Sequence, residues 1–189
     1  MGRPPLHIDV TSKDQKELAK LLSGGVQQVR VVLRALALLQ LAEGTSAPQI
    51  YAAGDIANAW HPFHETWIRL EHWSSALNQG PVAAKNMLGI STPYDKVPYF
   101  FSDQYDLGME YRGWAPGYEQ VVFRGDPASG EFIAFWLGDG VVRAAMNANV
   151  WDQGDALEAL LLARATPDPA ALADPDTDLA ALVDAGRPA

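Results

Sequence analysis

The stretch 119-EQVVFRGDPASGEFIAFWLGDG-140 sets two β-rich runs on either side of one tight turn and ends in a second turn. The turn sequences "DPASG" and "GDG" are typical of hairpins, because Gly, Pro and Asp suit their backbone angles. Three similar runs flank this stretch, namely "VPYFFSDQY" (97–105), "LGMEYRG" (107–113) and "VVRAAMNANVW" (141–151). Together the five runs predict an antiparallel sheet of about five strands between residues 97 and 147.

Helical patterns lie on both sides of these runs. The segment "DALEALLLARA" predicts a helix over 155–164 that covers the sheet, and 66–88 predicts one or two helices, since Pro81 can kink or divide it. Residues 11–43 also have helical spacing, with Thr11 as a cap, a break at Gly24-Gly25 and a second helix over 26–43. The predicted fold class is α+β. Residues 175–189, rich in Pro, Ala and Asp, are expected to form a tail of low stability.

Charge and composition limit the possible functions. The net charge is −9, with six Lys/Arg against four Asp/Glu in residues 1–44 and eight against nineteen in the remainder. An acidic body argues against nucleic acid as a partner. The sequence has no cysteine, which excludes disulfides and thiolate metal sites within it. The apolar run "VVLRALALLQLA" is too short to span a bilayer, and no secretory signal is visible, so we expect a cytoplasmic protein.

Two local patterns are candidates for binding. The run "IYAAGD" (50–55) predicts a short buried strand that ends at Gly54, where a ligand could approach the backbone closely. Asp55 then either binds a ligand at the strand end or caps a following helix, and the spacing alone leaves both alternatives open. His61 and His64, in "WHPFHE", are three residues apart, but no third ligand is arrayed with them. We therefore expect a structural role and no metal site.

A wider pattern is more specific. The segments "TSAPQIYAAGDIA" (45–57), "RLEHWSSALNQGPVAAKNMLG" (69–89), "VPYFFSDQYDLGMEYRG" (97–113), "VVFRGDPASGEFIAFWL" (121–137) and "MNANVWD" (146–152) follow one another at close spacing. From about residue 45 to 173 they resemble the C-terminal portion of FAD-dependent NAD(P)H:ferredoxin or rubredoxin reductases. The resemblance implies a remnant of an FAD-binding α/β domain over 45–93 and a reductase C-terminal α+β domain over 94–174.

The resemblance also implies site residues. Asp55 would accept a hydrogen bond from the FAD ribityl chain, with Gly54 leaving room for the cofactor. The helix that begins near Glu71, His72 and Trp73 would point its amino terminus at the pyrimidine end of the flavin ring; the alternative is a core helix that buries Trp67, Leu70, Trp73 and Leu77. Tyr99 and Phe101 would wall the flavin, at sites where the family often carries Trp. The implied partner is a [2Fe–2S] ferredoxin or a rubredoxin.

No GxGxxG motif, which such reductases use for FAD pyrophosphate and for the nicotinamide cofactor, occurs in the sequence. Residues 1–44 instead resemble the helix-turn-helix region of insertion-sequence transposases. We therefore interpret the chain as a truncated or fused electron-transfer flavoprotein, with weak or absent FAD binding by the chain alone. The alternative is a non-catalytic folded module that self-associates as a homo-oligomer through helix 26–43.

Overall fold

The computed structural model describes residues 10–23, 38, 39, 42 and 51–184. It divides the chain into two compact units, residues 1–95 and residues 96–189, and each is described by itself. The predicted helix 26–43 and the transposase-like resemblance lie almost wholly outside the described residues and stay predictions.

The first unit begins with α1, Ser12–Ser23. The Thr11 Oγ1 accepts a hydrogen bond from the Asp14 amide at 3.2 Å, and the Asp14 carboxylate accepts one from the Thr11 amide at 3.0 Å. This reciprocal pair is a capping box, which satisfies two donors at the start of the helix. The predicted cap at Thr11 is confirmed.

Residues 51–95 combine a turn, a hairpin and a helix. A 3₁₀ turn at Gly54–Ile56 is followed by the strands β1 (Ala59–His61) and β2 (Thr66–Ile68), which pair antiparallel with Trp60 opposite Trp67. Helix α2 spans Trp73–Met87 without a break at Pro81. The hairpin was not predicted from the sequence.

The predicted buried strand ending at Gly54 is wrong over its described part. Residues 51–53 have no regular secondary structure, and Tyr51 and Ala52 are exposed. A strand needs a neighbouring strand to pair its backbone groups. Within the described residues, the only partners in the first unit's sheet are β1 and β2 themselves.

The second unit is built on one five-stranded antiparallel sheet in the order β3-β4-β7-β6-β5. Its strands are β3 (Tyr99–Gln104), β4 (Leu107–Gly113), β5 (Gln120–Asp126), β6 (Glu131–Gly138) and β7 (Val141–Ala148). Each of the five strands lies within one of the β-rich runs. The predicted α+β fold with an antiparallel sheet and flanking helices is confirmed.

Helix α3, Gly154–Leu162, packs against one face of this sheet and forms the core with it. Phe135, Leu157 and Leu160 have no exposed surface. Burying side chains of this size contributes about 1.5–3 kcal/mol each. The core therefore lies between α3 and the central strands β6 and β7.

The segment that follows α3 is more ordered than predicted. It contains α4 (Pro169–Ala173) and a 3₁₀ turn at Ala180–Leu182, and Leu172 and Leu179 are buried in the same core. The Asp168 carboxylate caps α4 by accepting from the Ala170 amide at 2.9 Å. Part of the predicted tail, up to residue 184, therefore packs against the core through Leu179 and Leu182, and its low stability stays a prediction.

Candidate functional site

The backbone at Gly54 has a left-handed conformation that favours glycine. Its φ is +74°, and an added Cβ would lie 3.2 Å from the Ala76 Cβ on α2. Its buried amide donates to the Gln79 Oε1 at 2.8 Å. The Gly54 turn is thus fixed directly onto the side of α2, and the close approach observed at Gly54 is that of the helix; the predicted approach of a ligand stays a prediction.

The next residue, Asp55, is exposed. Its backbone carbonyl accepts a hydrogen bond from Arg69 at 3.0 Å, and Arg69 forms an ion pair with Glu71. Asp55 does not cap a helix, because the residue preceding the 3₁₀ turn is Ala53 and the residue preceding α2 is His72. The capping alternative is wrong, and the Asp55 carboxylate faces solvent.

The side chains of residues 67–73, which lead into α2, alternate between exposed and more buried positions. Trp67, Arg69, Glu71 and Trp73 are exposed, whereas Ile68 is buried and His72 is half-buried. The predicted buried stripe of Trp67, Leu70, Trp73 and Leu77 is therefore wrong, with Trp67, Trp73 and Leu77 61%, 69% and 56% exposed. The reason is that α2 starts at Trp73, so residues before it follow the two-residue period of an extended chain.

The amino terminus of α2 lies near the exposed Asp55. His72 occupies the cap position, and no side chain caps the helix. Burial lowers the pKa of His72, while the nearby Asp55 charge opposes that shift. An uncapped helix start carries partial positive charge and free amide donors. Gly54, Asp55, Glu71, His72 and Trp73 are thus brought together, around an open surface that combines a carboxylate, an aromatic ring and a helix start.

The other two predicted site residues lie on β3 in the second unit. Tyr99 and Phe101 are on one face of the strand, with ring centroids 6.5 Å apart, and Phe101 is 54% exposed. The Tyr99 hydroxyl donates to Glu110 at 2.8 Å, and the Arg112 guanidinium lies 4.9 Å from the centre of the Tyr99 ring. Phe101 is thus an exposed ring, and the half-buried Tyr99 ring lies beside it, tilted by 36°.

Sequence analysis missed Arg69, Glu110, Arg112 and Asn147. Arg69 belongs to the alternating segment 67–73, and Glu110 and Arg112 are two residues apart in a predicted strand. Such spacing puts both side chains on one face of that strand, which was the available signal. The buried Asn147 had no comparable signal, because its partners are 35 and 37 residues away in sequence.

The histidines of the hairpin pack against one another. His61 is buried, and its ring centroid lies 4.7 Å from that of His64 and 5.9 Å from that of Tyr94. Among the described residues no group of three or more His, Cys, Asp or Glu side chains could hold a metal ion. In the same part of the chain, no helix combines the length and apolar character needed to cross a membrane.

Comparison with known proteins gives the following similarities. Residues 99–183 match the family model described as "Reductase C-terminal". The chain is 40% identical over 136 residues to the ferredoxin–NAD(+) reductase component of the anthranilate 1,2-dioxygenase system of Burkholderia cepacia, covering 71% of this chain and 34% of that protein.

Two solved structures have the same fold over a similar share of the chain. The ferredoxin reductase for the CYP199A2 system from Rhodopseudomonas palustris aligns with a TM-score of 0.62 and 30% identity, over 68% of this chain and 32% of that one. Putidaredoxin reductase, in its covalent complex with putidaredoxin, aligns with a TM-score of 0.62 and 28% identity, over 70% and 32%. The chain spans about a third of the length of the curated relative named above, so these similarities concern that portion.

Proposed function

We propose that this chain, whose residues 99–183 form a reductase C-terminal domain, is the flavin-contacting and C-terminal portion of a ferredoxin–NAD(P)+ reductase that supplies electrons to an oxygenase or P450 system. The observation that carries the proposal is the surface formed by the Gly54 turn, the exposed Asp55 and the uncapped start of α2. Two of the relatives named above are reductases of such systems, which supports the same conclusion.

The residues present fit a flavin. Asp55 offers a solvent-facing carboxylate, a strong acceptor for a ribityl hydroxyl, and Gly54 lets the turn that carries Asp55 pack against Ala76 of α2. The start of α2 offers amide donors and positive potential, which favour the negative charge of a reduced flavin ring. Bound FAD supplies the chemistry of accepting hydride from NAD(P)H and releasing single electrons to an iron–sulfur protein.

Tyr99 and Phe101 are the second group of residues to which we assign a role in contacting the flavin. The Phe101 ring is exposed on a strand of the sheet, with the half-buried Tyr99 ring beside it, and an exposed aromatic ring can pack against another planar group. We propose that these two rings contact the flavin, as the family resemblance implies. The electron acceptor in this proposal is a small iron–sulfur protein, either a [2Fe–2S] ferredoxin or a rubredoxin, as the family resemblance implies.

The experiment measures flavin binding by the purified full chain. Riboflavin, FMN and FAD are titrated in turn, with quenching of flavin fluorescence as the readout and Asp95→Ala, an exposed carboxylate of the same unit, as the control. We expect weak binding, because no GxGxxG sequence is present to hold the pyrophosphate. We expect Asp55→Ala to weaken it by about 1.5–3 kcal/mol, the usual scale for a hydrogen bond to a charged group.

Two results would contradict the proposal. If the wild-type chain quenches none of the three flavins at the highest soluble concentration, this surface does not hold the ring and ribityl chain. If Asp55→Ala and Asp95→Ala bind flavin as tightly as wild type, Asp55 has no part in the site. Reduction of bound flavin by NADH is followed separately by bleaching near 450 nm.

A further inference from the structure

A polar cluster lies under the Tyr99 ring on the helix-facing side of the second sheet. Glu110 is its centre: its carboxylate accepts from the Tyr99 hydroxyl at 2.8 Å, from Arg112 at 3.2 Å and from the Asn147 amide at 3.3 Å. Asn147 is fully buried and also donates to the Val150 carbonyl at 3.0 Å. Every member therefore has a hydrogen-bond partner, which makes the cluster rigid.

Arg112 is the fourth member of the cluster and lies beside Glu110 and Asn147. Its Nη1 and Nη2 atoms both donate to Glu110 Oε2 at 3.2 Å, and Nη1 also donates to Asn147 Oδ1 at 3.3 Å. The Arg112 side chain is 12% exposed. It also fills the space beside Gly154, where an added Cβ would lie 2.5 Å from Nη2. The guanidinium is thus held between the backbone at the start of α3 and the face of the Tyr99 ring.

We propose that Glu110 and Arg112, supported by Asn147, are positioning residues that hold the Tyr99 ring and hydroxyl in one orientation beside Phe101. The hydrogen bond to Glu110 fixes the far end of the side chain, and the guanidinium fixes one face of its ring. These two constraints determine both rotatable bonds of a tyrosine. The inference rests on the proposed function, because the oriented ring is the one assigned to the flavin wall.

The electrostatics of the cluster give it a signature that can be measured. Burial raises the pKa of Tyr99, and the hydrogen bond to Glu110 and the Glu110 charge raise it further. The Arg112 charge acts in the opposite direction, and Asp103 adds a small upward effect. Removing the two positioning residues one at a time should therefore move the pKa of Tyr99 in opposite directions.

The test is ultraviolet titration of tyrosine in the full chain, with the Tyr99 contribution identified by subtraction of a Tyr99→Phe variant. We expect Glu110→Gln to lower the pKa of Tyr99, Arg112→Met to raise it, and Arg112→Lys to stay closer to wild type than Arg112→Met. Glu158→Gln, on the exposed side of α3, is the matched control and should leave it unchanged. If Glu110 and Arg112 only stabilise the fold, Glu110→Gln and Arg112→Met should both shift the pKa of Tyr99 toward that of an exposed tyrosine.

Flavin binding separates this inference from the proposed function. If the wild type binds riboflavin, we expect Glu110→Gln and Arg112→Met each to weaken binding about tenfold, equivalent to about 1.4 kcal/mol. Opposite pKa shifts with no flavin binding by the wild type support the positioning cluster and overturn the proposed function. Shifts of the same sign, or no shifts, overturn the inference; opposite shifts with unchanged flavin affinity overturn its link to the flavin wall.

Discussion

Gly54 is the residue through which the candidate site is attached to α2. Its positive φ and the 3.2 Å approach to Ala76 both act against any side chain. We predict that Gly54→Ala lowers the free energy of unfolding by about 1–2 kcal/mol, since left-handed backbone is strained for alanine. Thermal or urea unfolding followed by tryptophan fluorescence measures this, because Trp60, Trp67 and Trp73 belong to the same unit.

Gly80 provides the matched control for that prediction. It lies inside α2 with nothing within 4 Å of an added Cβ. Gly80→Ala should therefore stabilise the helix by about 0.5–1 kcal/mol, the ordinary gain from replacing a helical glycine. Equal effects of the two substitutions would show that the Gly54 turn is not held against α2.

Glu110 gives a prediction for pH. Burial raises the pKa of this carboxyl, but the hydrogen bond from Tyr99, the Arg112 charge and the Asn147 amide outweigh it, so that the pKa is lowered from its ordinary 4.5. A lowered pKa in the folded state stabilises the protein above the unfolded value and ceases to do so as pH falls through the folded value. The difference in unfolding free energy between wild type and Glu110→Gln should therefore be largest near pH 7 and shrink below pH 4.5. Urea unfolding at several pH values checks it, and a constant difference would contradict it.

At the residue scale, sequence identified the glycine and carboxylate of the site but not their supporting groups. Local spacing left Asp55 open between ligand binding and helix capping, and its place in the candidate site came from the family resemblance. Arg69 and Glu110 act through contacts with residues distant in the chain, such as Asp55 and Asn147. Contacts between residues so distant in sequence depend on the tertiary fold, which local spacing does not determine.

At the scale of elements, the segment after α3 is the clearest difference between expectation and structure. Arg124 on β5 donates to the Pro175 carbonyl at 2.9 Å and also to the Thr177 carbonyl, while Leu172 and Leu179 enter the core. Composition suggested weak structure here, because Pro, Ala and Asp dominate. Buried leucines and three aspartates order this segment: Asp168 caps α4, and Asp174 and Asp178 each accept a hydrogen bond from the amide two residues later.

The corresponding prediction concerns Leu172, which has no exposed surface. Leu172→Ala should reduce the free energy of unfolding by about 2–5 kcal/mol, because it leaves a cavity in the core. Leu162→Ala, at an exposed position at the end of α3, is the control and should have an effect well below that of Leu172→Ala. Chemical denaturation of both variants measures their free energies of unfolding. Similar losses for the two would show that residues 169–182 do not stabilise the core.

Elements with strong periodicity were predicted best. The five strands of the second unit and helices α1 and α3 lie where turn signals and spacing put them. Helix α2 covers only the later part of the predicted 66–88, since residues 66–68 form β2. The predicted strand, over its described residues 51–54, and the buried stripe on 67–77 failed for one reason. Both depended on which neighbours would cover an apolar segment, and that is decided by tertiary packing and not by the period of the segment itself.

At the scale of the whole molecule, all the residues of the main apolar core belong to the second unit. They run from Val97 to Val183 and join β5, β6, β7, α3 and the segment after it. A single core of this kind within about 90 residues is enough for many domains to fold alone. We therefore predict that residues 96–189, expressed without the first 95 residues, fold cooperatively.

The measurement is a thermal melt of this fragment, followed by far-ultraviolet circular dichroism and by the fluorescence of Trp114, Trp136 and Trp151. Both probes should report one coincident transition, since two-state unfolding is expected for a domain of this size. Its midpoint should match a transition of the full chain to within about 4–8 °C, the shift that 1 kcal/mol produces. Leu172→Ala in the fragment should lower that midpoint as it does in the full chain, because the cavity lies in the same core. A gradual melt, or probes that disagree, would mean that the second unit needs residues before 96 to fold.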